Sequence, residues 1–222
     1  VDDIYILHQR LKQRYPDAPL CIMGHSMGSF LTRTYLIRYP GTVKAAVIMG
    51  TGWQPQAAIT GGLALANAIA AVSGENATSE LVTELAFGSY NKLFAPNRTK
   101  VDWLSADESN VDDYIADPLC GADATVGLFR QMLHGIRFNQ RQSHLRQMDR
   151  EMPVLFVAGD KDPVGSCGKG VRQTYDAFRA AGMRDCTLKL YPGLRHEILN
   201  EKAYTADITK NIEAWLLSRL EK

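Results

Sequence analysis

Ser26, Asp162 and His196 are the residues of this chain whose types and surroundings could do chemistry together. Ser26 lies in Gly24-His25-Ser26-Met27-Gly28, Asp162 in Gly159-Asp160-Lys161-Asp162-Pro163, and His196 between Arg195 and Glu197. A serine hydroxyl attacks a carbonyl only when a base removes its proton, and a histidine base needs a carboxylate to fix its tautomer and stabilise the imidazolium. The chemistry expected of such a set is acyl transfer through a covalent intermediate. Asp160 stands in the same run as Asp162 and competes with it for the acid role. His8, His134 and His144 fall in polar, helical stretches and read as solvated, whereas His25, beside the nucleophile, is expected at the floor of a pocket.

Each member of the set must be held by an element that ends close to the others. Leu20–Met23, Val154–Ala158 and Cys186–Leu190 are short apolar runs of strand character, and Ser26, Asp162 and His196 each follow one of them. In open parallel sheets, functional groups gather at the C-terminal ends of strands. Beyond Gly28 the residues Met27, Phe30, Leu31, Thr34 and Tyr35 fall on one helical face, so Ser26 sits at a sharp strand-to-helix turn. Gly24 and Gly28 are expected to let the neighbours of a strained nucleophile pass without Cβ atoms. The backbone N–H of Met27, at the start of the helix, is the expected oxyanion donor.

Along the chain, Val1, Ile4, Leu7 and Leu11 recur at helical spacing up to Pro16, so the chain opens within an amphipathic helix. Val43–Met49 is a continuous apolar run that reads as a parallel strand buried on both faces. From Trp53 to Arg150 the pattern is helical, with stretches at Ile59–Val72, Ser79–Phe87 and Thr125–Phe138; a connection of that length is an inserted subdomain that can cover a site. Within it Phe87, Phe94, Trp103, Phe129 and Met132 could line an acyl-chain pocket but read chiefly as the subdomain's own core, and Trp53, nearest a strand end, reads as a pocket wall. Val171, Tyr175 and Phe178 mark a further helix, and Tyr204, Ile208, Ile212, Trp215 and Leu216 a C-terminal one that packs back on the sheet. The alternation calls for an α/β fold with a mostly parallel sheet and helices on both faces.

Composition narrows the function classes. The chain is 45% hydrophobic and 22% charged, an ordinary globular balance. Its 25 basic and 24 acidic residues leave a net charge of +1, so nothing in the electrostatics calls for nucleic acid or an anionic membrane surface. Cys21, Cys120, Cys167 and Cys186 lack metal-ligand or redox spacing and read as reduced thiols of a cytoplasmic protein, with no metal and no organic cofactor expected. No basic leader opens the chain, and the apolar window Ile59–Val72 is judged too short and too rich in Ala and Gly for stable membrane insertion.

Gly-His-Ser-Met-Gly, the Gly159–Gly165 run and Arg-His-Glu-Ile-Leu-Asn-Glu at Arg195–Glu201 together resemble the monoacylglycerol lipase and lysophospholipase branch of the α/β-hydrolases. The order Ser26, Asp162, His196 is the order of that fold and differs from those of chymotrypsin and subtilisin. The resemblance implies an α/β-hydrolase core at 1–52 and 151–222 with a helical cap at 53–150. It favours Asp162 over Asp160, because the family's carboxylate follows the strand-end glycine by a few residues; Asp160 is then left to bond backbone N–H groups. The expected substrate is a small-molecule or lipid-like carboxylic monoester, a monoacylglycerol or lysophospholipid, with His25, Trp53 and Val164 contacting it. A small-ester esterase or a serine peptidase of the same fold is the alternative, and a non-catalytic lipid- or partner-binding protein the alternative from another class.

The resemblance also implies strands ahead of Leu20–Met23 and a His-Gly-type loop carrying a second oxyanion donor, neither of which this sequence shows before Ser26. Leu20–Met23 is therefore expected as a bare sheet edge. Two readings follow: the chain is the retained part of a longer protein, which the opening helix favours, or it covers the edge by homo-oligomerising.

Overall fold

The computed structural model describes residues 1–221. Four strands, β1 (Cys21–His25), β2 (Ala45–Met49), β3 (Val154–Gly159) and β4 (Cys186–Tyr191), form one sheet in the order β1-β2-β3-β4, every neighbouring pair parallel. Each expected strand is present within a residue or two of its expected bounds. The central pair is buried at every position, which is why β2 and β3 read as unbroken apolar runs.

The period of two divides these strands between two cores. Ala46, Ile48, Val154, Phe156 and Ala158 face the larger one, with Tyr35, Leu36 and Ile37 of α2 (Met27–Arg38) and Val171 and Phe178 of α8 (Lys169–Ala180). Val47, Met49, Leu155 and Val157 face the other, closed by Ile208 and Ile212 of α9 (Thr205–Leu220). Trp215 of α9 donates from Nε1 to Thr187 Oγ1 of β4 at 3.0 Å, anchoring that helix toward the β4 edge. At the other edge Met23 of β1 is 54% exposed and Cys21 is exposed as well. The first helix, α1 (Asp2–Arg14), brings Val1, Ile4 and Tyr5 against the larger core but leaves Ile6, Leu7 and Leu11 exposed, so its apolar stripe is only partly engaged.

Between β2 and β3 lie α3 (Gln56–Ser73), α4 (Glu80–Lys92), a single 3-10 turn at Asp102–Leu104, α5 (Glu108–Ala116), α6 (Val126–Asn139) and α7 (Gln142–Leu145). Phe30 of α2, Ile59 and Leu63 of α3 and Ile136 of α6 make a third apolar cluster, which ties these helices to the helix behind Ser26. From α7 onward the chain rejoins the sheet, since Leu145, Met148 and Met152 belong to the larger core. The window judged too short for a bilayer is corrected here: it lies in α3, an 18-residue helix long and apolar enough by length and composition to cross one. In the fold α3 instead buries Ile59, Leu63 and Ala66 against its neighbours.

Arg33 of α2 is fully buried between these layers and, among the described residues, has no carboxylate partner. Its guanidinium donates to Gly52 O at 2.9 Å, Thr51 Oγ1 at 3.3 Å and Asn139 O at 3.5 Å, joining α2 to the exit of β2 and the end of α6. Burial pulls its pKa down to about 9, which leaves it charged at neutral pH.

Candidate active site

Ser26 occupies the turn between β1 and α2 with φ +54° and ψ −121°, a conformation that a non-glycine residue holds only when its surroundings impose it. They do so through both backbone groups: Ser26 N–H donates to Met49 O at 3.1 Å, and its carbonyl accepts from Ser29 N at 2.9 Å and Ser29 Oγ at 2.6 Å. A Cβ on Gly24 would stand 2.2 Å from Gly28 O and 2.4 Å from Thr32 Oγ1, so only glycine lets β1 and α2 approach this closely. Gly28 departs from expectation, because a Cβ there would meet open space. Its carbonyl, not its missing side chain, takes part in the close approach. Met27 begins α2, and among the described residues no acceptor takes its N–H.

Asp162 and His196 are brought together as expected. Nδ1 of His196 lies 3.0 Å from each carboxylate oxygen of Asp162, with Asp162 0% and His196 2% exposed. A carboxylate can only accept, so Nδ1 is the donor, and in the neutral ring this leaves the lone pair on Nε2. Asp162 Oδ1 also accepts from Val164 N at 2.9 Å, and Asp162 O from Cys167 N at 2.8 Å, which fixes the acid in its loop. Asp160 takes the structural role instead: its Oδ1 accepts from Gly193 N at 2.8 Å, tying the exits of β3 and β4. At Gly159 a Cβ would fall 2.0 Å from Leu194 O, so a glycine at the end of β3 is what lets the loop carrying His196 cross it. Among the described residues no hydrogen bond joins Ser26 Oγ to His196; such bonds commonly tighten only when substrate binds.

His25 departs from its expected place. It does not line the cavity; its ring lies 4.6 Å from that of His196 and Nε2 lies 3.0 Å from the His196 carbonyl. A carbonyl accepts, so Nε2 carries the proton. Burial first, and the neighbouring His196 second, hold the His25 imidazole below its ordinary pKa, in keeping with a neutral ring. Trp53 is likewise not among the lining residues. The backbone before it is pinned, with Gly52 O accepting from Arg33 and Thr174 Oγ1, and Trp53 packs against the larger core while Gln54 turns to the cavity. Val164 does line the cavity.

That cavity measures about 480 Å³, within the range of small-molecule sites. Ser26, Met27 and Phe30 stand at its floor on the turn and α2, and Leu65, Ala66, Phe87, Phe129, Met132 and Leu133 supply apolar wall from the inserted helices. Phe87, Trp103, Phe129 and Met132, read from sequence as internal core, therefore face this space. Tyr90 and Trp103 lie where the wall meets the Asp162–His196 pair. The Trp103 ring is 5.2 Å from that of His196, and the Tyr90 phenol is pushed up to about 12 by burial and, secondarily, by the charge of Asp162. No local pattern marks Tyr90 or Trp103, because what gives each its place is a partner far along the chain. Among the described residues no group of His, Cys, Asp and Glu is arranged to hold a metal ion.

Residues 1–203 match the family model described as Serine aminopeptidase, S33. The chain belongs to this family. Its fold is that of the α/β-hydrolases, as the solved structures it resembles make plain: a thermostable carboxyl esterase from Bacillus coagulans superposes with a TM-score of 0.90 at 24% identity over 98% of this chain and 70% of that one. A monoglyceride lipase from Saccharomyces cerevisiae gives a TM-score of 0.70 at 17% identity over 98% and 68%. Among curated relatives of this α/β-hydrolase, the monoacylglycerol lipase of Mycolicibacterium smegmatis is 30% identical over 225 residues, 99% of this chain and 70% of the relative. The mouse monoglyceride lipase is 26% identical over 95% of this chain, which spans 62% of the mouse protein.

Proposed function

We propose that this α/β-hydrolase is a serine hydrolase of lipid-like carboxylic monoesters, with Ser26 as nucleophile, His196 as general base and acid, and Asp162 as the carboxylate that orients His196. The observation that carries the reading is the buried Asp162–His196 pair beside an apolar cavity whose floor is Ser26. Ser26 Oγ attacks the acyl carbonyl as His196 Nε2 takes its proton, and the Met27 N–H stabilises the oxyanion. Collapse of the tetrahedral intermediate breaks the ester bond, and His196 returns the proton to the leaving alcohol. Water then attacks the acyl-enzyme with His196 again as base, releasing the acid and restoring Ser26. An alkyl chain suits the apolar walls, and the names of the mycobacterial and mouse relatives support a monoacylglycerol as the substrate class. We assign the helices of 53–150 a cap role, and the four free thiols suit a reducing compartment such as the cytoplasm.

Labelling with a fluorophosphonate probe, read by intact mass, tests this assignment. Stoichiometric modification is expected, abolished in Ser26→Ala, with turnover of glycerol monoesters falling at least a thousandfold in the same variant. A folded protein that takes up no probe and turns over no ester would overturn it. A second reading, peptide cleavage, is favoured by the description of the family model. Ester and amide substrates with the same acyl group separate the two, and ester turnover is expected to dominate.

A further inference from the structure

The loop that carries His196 is bonded to a strap of the inserted segment, residues 102–107, through Arg195, Glu197, Glu201 and Lys202. The Arg195 guanidinium donates through Nη1 to the carbonyls of Asp102 and Ser105, the latter at 3.0 Å. Glu197 N donates to Leu104 O at 2.8 Å. Glu201, 3% exposed, accepts from Ala106 N at 2.8 Å through Oε1 and from Asp107 N at 3.1 Å through Oε2. The neighbouring Lys202 does not neutralise Glu201, since its ammonium goes to Asp113 and Ser109. A carboxylate buried without a direct ion pair is tolerated where donors are aimed at it, and both of its oxygens are spent on the strap backbone, with the Arg195 charge nearby. Between the two carbonyls that Arg195 holds, the strap presents Trp103, whose ring rests 5.2 Å from the His196 ring and also lines the cavity.

We propose that Glu201 and Arg195 are positioning residues that hold the base His196 and the pocket wall Trp103 as one rigid unit through the strap. Neither touches substrate. They act through His196, whose side chain is oriented by Asp162, whose carbonyl is gripped by His25, and whose ring faces Trp103. Releasing the strap lets His196 and Trp103 shift together, and proton transfer suffers from displacements well under the size of an atom. An acyl group too small to reach the walls is therefore affected as much as a long one.

The inference rests on the Ser26–His196–Asp162 reading, and the test separates the two. Turnover of an acetyl ester and a long-chain monoester is measured for the wild type, Ser26→Ala, Glu201→Gln and Arg195→Lys, each normalised to folded protein well below its Tm. Glu201→Gln keeps the shape but turns an amide NH2 toward one of the two strap N–H groups. It is expected to lower kcat at least tenfold for both esters with KM within twofold, and to shift or broaden the low-field proton resonance of His196 Nδ1–H. Arg195→Lys, which keeps the charge but loses the planar fork, is expected to fall between that variant and the wild type. Should Glu201→Gln not fold, Arg195→Lys carries the same readouts alone. Unchanged kcat in these variants, whether or not Tm falls, reduces the contact to a structural one and overturns the inference. Turnover that survives in Ser26→Ala removes the triad reading itself.

Discussion

At the scale of single residues, the two glycines around Ser26 are not equivalent. The pattern Gly-x-Ser-x-Gly treats them alike, yet Gly24 has a backbone oxygen where its Cβ would be and Gly28 has open space. Gly24→Ala forces β1 and α2 apart and is expected to cost about 3 kcal/mol, with loss of probe labelling at Ser26. Gly28→Ala sits in the first turn of α2, where alanine loses less chain entropy than glycine, and is expected to leave stability unchanged or raise it by about 0.5 kcal/mol with activity retained. Urea denaturation of both variants checks this, and equal losses would refute the distinction. The same limit applies to His25 and Trp53. Each stands beside a site-forming turn in sequence, but a side chain one residue from a nucleophile or a strand end is aimed by local backbone geometry, and here both are aimed away from the cavity.

At the scale of elements, the strands were legible because β2 and β3 are buried on both faces and leave continuous apolar runs. The grouping of Asp162 and His196 near Ser26, the proposed triad, was legible for the related reason that each follows a strand, where the topology of a parallel sheet collects such groups. The inserted helices were legible as helices but not as walls, because an aromatic at helical spacing looks the same whether it faces another helix or a cavity. Strand β1 carries the remaining consequence. It pairs with β2 alone among the described residues, and α9, anchored on β4, leaves the apolar Met23 in solvent. An edge of this kind is a template for another strand. Sedimentation of the 222-residue chain is expected to show association that grows with concentration, and Met23→Lys to shift it toward monomer. Monomer at every concentration would mean that the edge is not adhesive.

At the scale of the whole molecule, the proposed division of labour gives the chemistry to residues at the strand ends and the selectivity to the inserted helices, and the two share the cavity. On that reading the proposed triad does not measure the length of an acyl chain, so the walls must. Ala66 of α3 is buried and lines the cavity, so a larger side chain there takes volume from the acyl space without touching Ser26, Asp162 or His196. Ala66→Phe is expected to lower kcat/KM for long-chain monoesters at least tenfold, about the lower end of what one misfitted apolar group is worth, and to leave acetyl ester turnover within twofold. Because the added ring enters a space of about 480 Å³ rather than close-packed core, the stability cost should stay below the 1–3 kcal/mol typical of overpacking. An equal fall for short and long chains would place the acyl group elsewhere and leave the apolar cavity without a role in selectivity. A fall confined to long chains ties the preference to the wall that α3 supplies, and makes the inserted helices the part of the molecule in which substrate choice is written.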